Sequence, residues 1–237
     1  MTVFAYDLNK ALTAANINLD QHKIAILEQH WQLLMDKNTE VNLTAITEQK
    51  AAISKHYLDC LLALPYLPDQ GLALDVGSGG GFPGLVLAIA QAQLSWTLVE
   101  SVNKKAEFLR QAASQLFIGN VTVITSRAET LGCQAAFRGE FDLVTARAVA
   151  GLASLLEYAV PLLKIGGRFI AYKGPDAVVE IEQAANALDV LGGQIIDVIN
   201  LNLPYSGESR SLVLIEKTSE TPDKYPRREG MAVKKPL

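Results

Sequence analysis

Cysteine is nearly absent from this 237-residue chain and positive charge is in deficit, and each shortage narrows the chemistry open to it. The two cysteines, Cys60 and Cys133, stand in neither metal-ligand nor redox spacing, so they read as free thiols in a reducing compartment. No apolar run approaches the roughly 20 residues of a spanning helix, and neither end carries a charged-then-apolar secretory signal. A cytoplasmic protein with no membrane segment and no metal is the expectation. Lys and Arg number 21 against 25 Asp and Glu, a net charge of -4 that argues against generic nucleic-acid binding. Any polyanion contact must then come from a local patch. Internal repeats and low-complexity tracts are missing as well.

What the chain does have is apolar bulk, 49% of its residues, enough to bury a sizeable core in one large domain or one domain with an extension. Leu8, Ala11, Leu12 and Ala15 share one helical face, and Ile24, Leu27, Trp31 and Leu34 share another behind Asp20 as N-cap. Thr47 is expected to cap a third helix carrying Ile53, Tyr57, Leu61 and Leu64, ended by Pro65 and Pro68. From Leu72 strands and helices alternate, with strands ending at Val76 and Glu100, starting at Val121, and spanning Phe141–Thr145 and Arg168–Tyr172. Helices are expected from Pro83, over Asn103–Phe117 and Leu152–Leu163, and as one unbroken unit over Ala177–Leu191. Two final strands, Gln194–Asn202 and Ser211–Lys217, flank Pro204–Glu208 as a hairpin. The pattern predicts an α/β, Rossmann-like fold: a mostly parallel seven-stranded sheet with an antiparallel edge strand and an N-terminal helical extension. The divisions are 1–69 for the extension, 70–217 for the sheet domain and 218–237 for a basic tail.

Five glycines in eight residues, Gly77 to Gly84, sit between an apolar strand and an apolar helix. Gly77, Gly79 and Gly81 can take positive φ and let a ligand lie against bare backbone. Gly79-x-Gly81-x-x-Gly84 also satisfies a dinucleotide pattern. Asp75 at the strand end decides between them, because a carboxylate there repels a pyrophosphate and suits the ammonium and sulfonium charges of S-adenosylmethionine. Glu100, one βαβ step on, is placed to accept ribose hydroxyls, a contact shared by both cofactors.

With these pieces in place the chain resembles the bacterial 16S ribosomal RNA guanine-N7 methyltransferases, the glucose-inhibited division protein B family. The resemblance rests on Asn42-Leu43-Thr44, His56-x-Leu58-Asp59, Asp75-Val76-Gly77-Ser78-Gly79 through Gly84, and Glu100-Ser101 with Lys104-Lys105 and Phe108-Leu109. It continues through Ser126-Arg127-Ala128-Glu129, Arg147-Ala148 and Lys173-Gly174. Cys60 is a departure, since the family often has Ser after the Leu-Asp pair. The resemblance implies the S-adenosylmethionine-dependent methyltransferase form of this fold and cofactor contacts at Gly77, Phe82, Ala128, Glu129 and Arg147, beside Asp75, Gly79 and Glu100 read from the loop and strand ends. It implies 16S rRNA or the small ribosomal subunit as partner, a decoding-region hairpin as substrate, and a monomer.

Arg147, Lys173, His56 and Asp59 are the candidates for positioning the substrate, with no catalytic residue assigned. Lys173, Arg210, Arg227 and Arg228 are the candidates for holding RNA. His56 and Asp59 also read as a local pair packing the extension onto the sheet, and Lys173 and Arg210 as ordinary solvated charges. The tail, with Lys224, Arg227, Arg228, Lys234 and Lys235, reads either as an RNA-engaging arm or as a solvated terminus. Guanine N7 carries no proton, so methyl transfer to it requires no general base. After the fourth strand stands Arg147-Ala148-Val149-Ala150, where exocyclic-amine methyltransferases have an Asn/Asp-Pro-Pro-aromatic segment, and no Pro-Cys nucleophile is present. Three rival readings are a small-molecule methyltransferase on the same fold, a nicotinamide-dependent oxidoreductase, and a non-catalytic RNA-binding factor.

Overall fold

The computed structural model describes residues 2–204 and 206–237; Tyr205, in the expected connection Pro204–Glu208, lies outside the described residues. Helix α1 (Val3–Ala14) starts where the Thr2 side chain accepts the Ala5 N–H, and it buries Phe4, Leu8, Ala11 and Leu12. Helix α2 (Gln21–Asn38) starts at the expected cap, Asp20, which accepts the Lys23 N–H at 2.8 Å. Its buried stripe is Ile24, Leu27, Trp31 and Leu34, joined by His30.

The third helix departs from expectation. Glu48, not Thr47, caps α3 (Gln49–Ala52), because its longer carboxylate reaches the N–H groups of both Lys50 and Ala51. The chain then widens into a π-helical segment, Ile53–Leu58, before α4 (Asp59–Leu61). Wide turns of this kind recur at functional sites, and this one carries His56 and delivers Asp59.

Strands and helices then alternate: β1 (Gly71–Val76), α5 (Gly84–Ala90), β2 (Leu94–Glu100), α6 (Asn103–Gln115), β3 (Val121–Thr125), α7 (Ala128–Gly132), β4 (Phe141–Arg147) and α8 (Leu152–Ala159). They are followed by β5 (Leu163–Lys173), α9 (Ala177–Gln183), α10 (Ala185–Leu191), β6 (Gly193–Asn202), β7 (Ser209–Lys217) and α11 (Met231–Lys234). The helix expected as one unit over residues 177–191 is divided at Ala184, which leaves the helix with ψ near 0°.

The sheet order is β3-β2-β1-β4-β5-β7-β6. The first five strands are parallel, and β7 runs antiparallel between β5 and β6. The antiparallel edge is therefore made by inserting the last strand, not by adding it outside. Strand order reverses between β1 and β4, so the crevice at their carboxyl ends is the switch point where open α/β sheets take ligands.

The N-terminal helices share one hydrophobic cluster with the sheet: Leu8, Leu27, Leu34 and Tyr57 pack with Ala73, Leu85, Trp96 and Leu143. A second cluster on the opposite face joins α8 and α10 to Val76, Val144 and Phe169 and to Tyr225 and Ala232 from the C-terminal segment. That segment is packed, contrary to the solvated-terminus reading. Arg138 donates to the carbonyls of Thr221 and Tyr225 at 2.7 Å, and Arg227 closes on Glu157. No helix among the described residues is long and apolar enough to cross a membrane.

Candidate active site

The glycine loop is clamped from both sides. The N–H groups of Gly77 and Ser78 both donate to the Val99 carbonyl, at 2.8 and 3.1 Å, tying the loop to β2. Gly77, Gly79 and Gly81 all have positive φ, at 72°, 53° and 97°, as expected of this loop. From the other side His30 donates through Nε2 to the Gly80 carbonyl at 3.0 Å, so its Nδ1 accepts from the Tyr57 hydroxyl, also at 3.0 Å. Burial pushes the His30 pKa down to about 4, which keeps the ring neutral in this role. Sequence reasoning missed His30; its place beside the α2 stripe was the available signal.

Asp75 sits beneath the loop, not against the ligand space. It is fully buried, and its carboxylate accepts from Thr145 Oγ1 at 2.8 Å and the Gly84 N–H at 3.1 Å. Burial raises its pKa to about 6 against the opposing hydrogen bonds. These two bonds, one to each oxygen, fix the Asp75 carboxylate between β4 and the start of α5. Gly84 is required next to it, since a Cβ there would lie 2.5 Å from Leu98 Cδ2 and 2.6 Å from Asp75 Cβ.

Two cavities open at the switch point. The smaller, about 160 Å³, lies along Val76, Gly77, Val99, Ser101, Ser126, Arg127, Ala128, Glu129, Val149 and Tyr158, with Val233 at its outer side. Gly77, Ala128 and Glu129 come together here as expected. Beside it, Glu100 accepts the Gly79 N–H at 3.0 Å and the Val102 N–H at 2.8 Å. A carboxylate has about four lone-pair sites, so these two bonds orient Glu100 and leave it capacity for a diol. Glu129 accepts the Gly230 N–H at 3.0 Å. A Cβ on Gly79 would find only the Gly77 carbonyl, at 3.8 Å, so the bare backbone faces open space. Bare backbone, oriented carboxylates and a largely apolar wall fit a nucleoside with a diol, as S-adenosylmethionine has.

The larger cavity, about 530 Å³, is lined by Lys55, His56, Asp59, Arg147, Tyr172, Lys173, Glu180, Glu208 and Arg210 among others. Here the structure gathers all four positioning candidates. Arg147 donates to the Lys55 carbonyl at 2.8 Å, to Asp59 Oδ2 at 2.9 Å and to His56 Nδ1 at 3.0 Å. Because a guanidinium only donates, His56 Nδ1 is a lone pair and Nε2–H points to Thr44 Oγ1 at 2.8 Å. Burial, reinforced by the charge of Arg147, holds the His56 pKa down at about 3.

Arg147 belongs to this second cavity, not to the smaller one. The Phe82 ring stacks on His56, with centroids 4.4 Å apart, and lies 5.4 Å from the Arg147 guanidinium.

The RNA candidates also find partners. Lys173 donates to Glu180 Oε2 at 2.7 Å and to the Ala150 carbonyl at 2.8 Å; Arg210 donates to Glu208 at 2.8 Å and stands 3.5 Å from Asp59 Oδ1. Arg227 is turned inward onto the fully buried Glu157, whose oxygens take its Nε at 2.9 Å and Nη2 at 2.6 Å. Arg228 is exposed. Between the cavities runs the segment after β4: Ala148 and Ala150 line the larger, and Val149 the smaller. Ala148 holds φ at 55°, a left-handed conformation that costs a non-glycine residue roughly 1–2 kcal/mol. Strain of this kind concentrates at functional sites.

A family model described as rRNA small subunit methyltransferase G matches residues 23–212. A curated protein of Pelotomaculum thermopropionicum, "Ribosomal RNA small subunit methyltransferase G", is 42% identical over 240 residues and covers 100% of both chains. A protein of the same name from Alkaliphilus metalliredigens is 40% identical over 222 residues, 93% of each chain. The fold matches that of M. jannaschii TYW2 in complex with AdoMet, with a TM-score of 0.54 and 15% identity over 73% of this chain and 77% of that one. The match over residues 23–212 and relatives at least 40% identical over 93–100% of the chain make this protein a member of the rRNA small subunit methyltransferase G family.

Proposed function

We propose that this chain transfers a methyl group from S-adenosylmethionine to guanine N7 in the decoding region of 16S rRNA, acting as a cytoplasmic monomer. When bound, S-adenosylmethionine supplies the electrophilic methyl; the smaller cavity, with Gly77, Gly79, Glu100, Ala128 and Glu129, is its site. The larger cavity is the place for the guanosine. The observation that carries the reading is that the cavity's histidine and buried carboxylate are engaged by cations, with Asp59 Oδ1, 3.5 Å from Arg210, lacking a hydrogen bond. The histidine is neutral, with Nδ1 occupied by Arg147 and Nε2–H given to Thr44, and Asp59 Oδ2 is taken by Arg147. Guanine N7 has a lone pair and no proton, so such a site suffices if it orients the ring and keeps water away.

Alkylation at N7 leaves the purine cationic. Asp59, Glu180 and Glu208, held in place by their basic partners, offset that charge where it develops. Since N7 lies in the inaccessible major groove of A-form RNA, the target guanine must be splayed from a loop to enter.

Labelled methyl transfer to small-subunit RNA and to subunits lacking the modification, mapped by N7-specific cleavage, tests the proposal. Label at a guanine N7 is the expected result. Cofactor binding without transfer to either RNA substrate would replace the reading with a small-molecule acceptor.

A further inference from the structure

The smaller cavity draws part of its lining from the C-terminal segment. Val233 of α11 lines it together with Gly77 and remains 58% exposed, an apolar side chain only partly covered. Three residues earlier, Gly230 takes φ 74° and aims its N–H at Glu129 Oε1, the carboxylate at the cavity's far side. These two residues are not loosely hung. The Ala232 carbonyl accepts from Ser154 Oγ at 2.8 Å, and Ala232 is buried against α8. Upstream, Arg227 is locked on Glu157 and the Pro226 ring fills the space over Gly132, where a Cβ would lie 2.8 Å from it. The matched family segment ends at residue 212, so this wall lies beyond it.

We infer that residues 230–233 form part of the cofactor site, with Val233 as an apolar contact for the adenosyl group and the Gly230 amide orienting Glu129. The inference rests on the proposed cofactor. An adenine ring is flat and apolar on its faces, and a branched aliphatic side chain at the rim removes one such surface from water. The Gly230 N–H occupies one lone pair of Glu129 Oε1, so the carboxylate is held in one orientation before a ligand arrives. Residues 230–233 thus serve the cofactor, a role that neither reading of the tail's composition contained.

Two variants test this by calorimetric titration with S-adenosylhomocysteine. Truncation after Glu229 removes the wall but retains the Arg227–Glu157 anchor, and Val233→Trp fills the opening at an exposed position. Both are expected to weaken S-adenosylhomocysteine binding by about tenfold or more. Val233→Trp should keep the wild-type thermal midpoint and wild-type binding to a decoding-region hairpin RNA, whereas the truncation, which also loses the buried Ala232 and its bond to Ser154, is expected to melt lower. Wild-type affinity within about twofold in both variants would overturn the inference. A wild-type chain that binds no S-adenosylhomocysteine at all would instead refute the proposed function.

Discussion

His56 shows how a single residue can be fixed in charge state by its neighbours. Its Nδ1 faces a cation, its Nε2–H faces a hydroxyl, and the ring is stacked on Phe82, so protonation would set two donors and two positive charges against each other. The folded pKa, about 3, lies below the ordinary value of 6.5. Between these values the unfolded chain binds the extra proton, so the group contributes stability above pH 6.5 that is lost as pH falls toward 3. Asp75 acts in the opposite sense, its folded pKa of about 6 stabilising the fold below its ordinary value of 3.8 and losing that contribution as pH rises through 6. The difference between wild type and His56→Gln isolates the histidine. Urea midpoints should show the wild type losing stability relative to the variant as pH drops from 6.5 toward 3. A pH-independent difference would mean that the ring is not held neutral by the fold.

At the level of elements, the ion pairs bind pieces of chain that local patterns treat as unrelated. Glu157 on α8 is fully buried, and Arg227 supplies both its charge partner and, through the backbone N–H, a 2.7 Å hydrogen bond. Arg227→Ala leaves that carboxylate in the core with a single N–H donor. The expected cost is about 3 kcal/mol, at the low end for a broken buried pair because Arg227 is partly exposed. Chemical denaturation measures it, and the double variant with Glu157→Gln should recover part of the loss. The same principle governs Lys173, whose ammonium holds Glu180, while Glu180 in turn accepts the Leu152 N–H at the start of α8. Lys173 thereby braces the segment that separates the two cavities.

On the scale of the whole molecule, the helices of residues 3–61 and the sheet share one core. Tyr57 is fully buried and packs edge-on to Phe4 and Phe82, with ring centroids 5.3 and 5.5 Å apart, so α1 and the glycine loop meet through one aromatic ring. A chain beginning at residue 70 would expose the sheet face carrying Leu85, Trp96 and Leu143 and would lose His30, the anchor of Gly80. Such a fragment is expected to lack a cooperative thermal transition, and a sharp calorimetric peak from it would show that the sheet domain folds alone. Much of this architecture is determined by the sequence by itself. The helical stripes, the Asp20 cap, the strand alternation and the positive-φ glycines are short-range properties, set by periods of 3.6 or 2 residues and by backbone sterics. Only the tertiary structure decided what the charges and the tail do. Asp59 meets Arg147 across 88 residues of sequence and Glu157 meets Arg227 across 70, and composition reads these groups as surface because burial is not a local property. Whether a carboxylate faces a ligand or a backbone amide, as at Asp75, depends on which elements the core brings into contact, and that is settled by desolvation and packing over the entire chain.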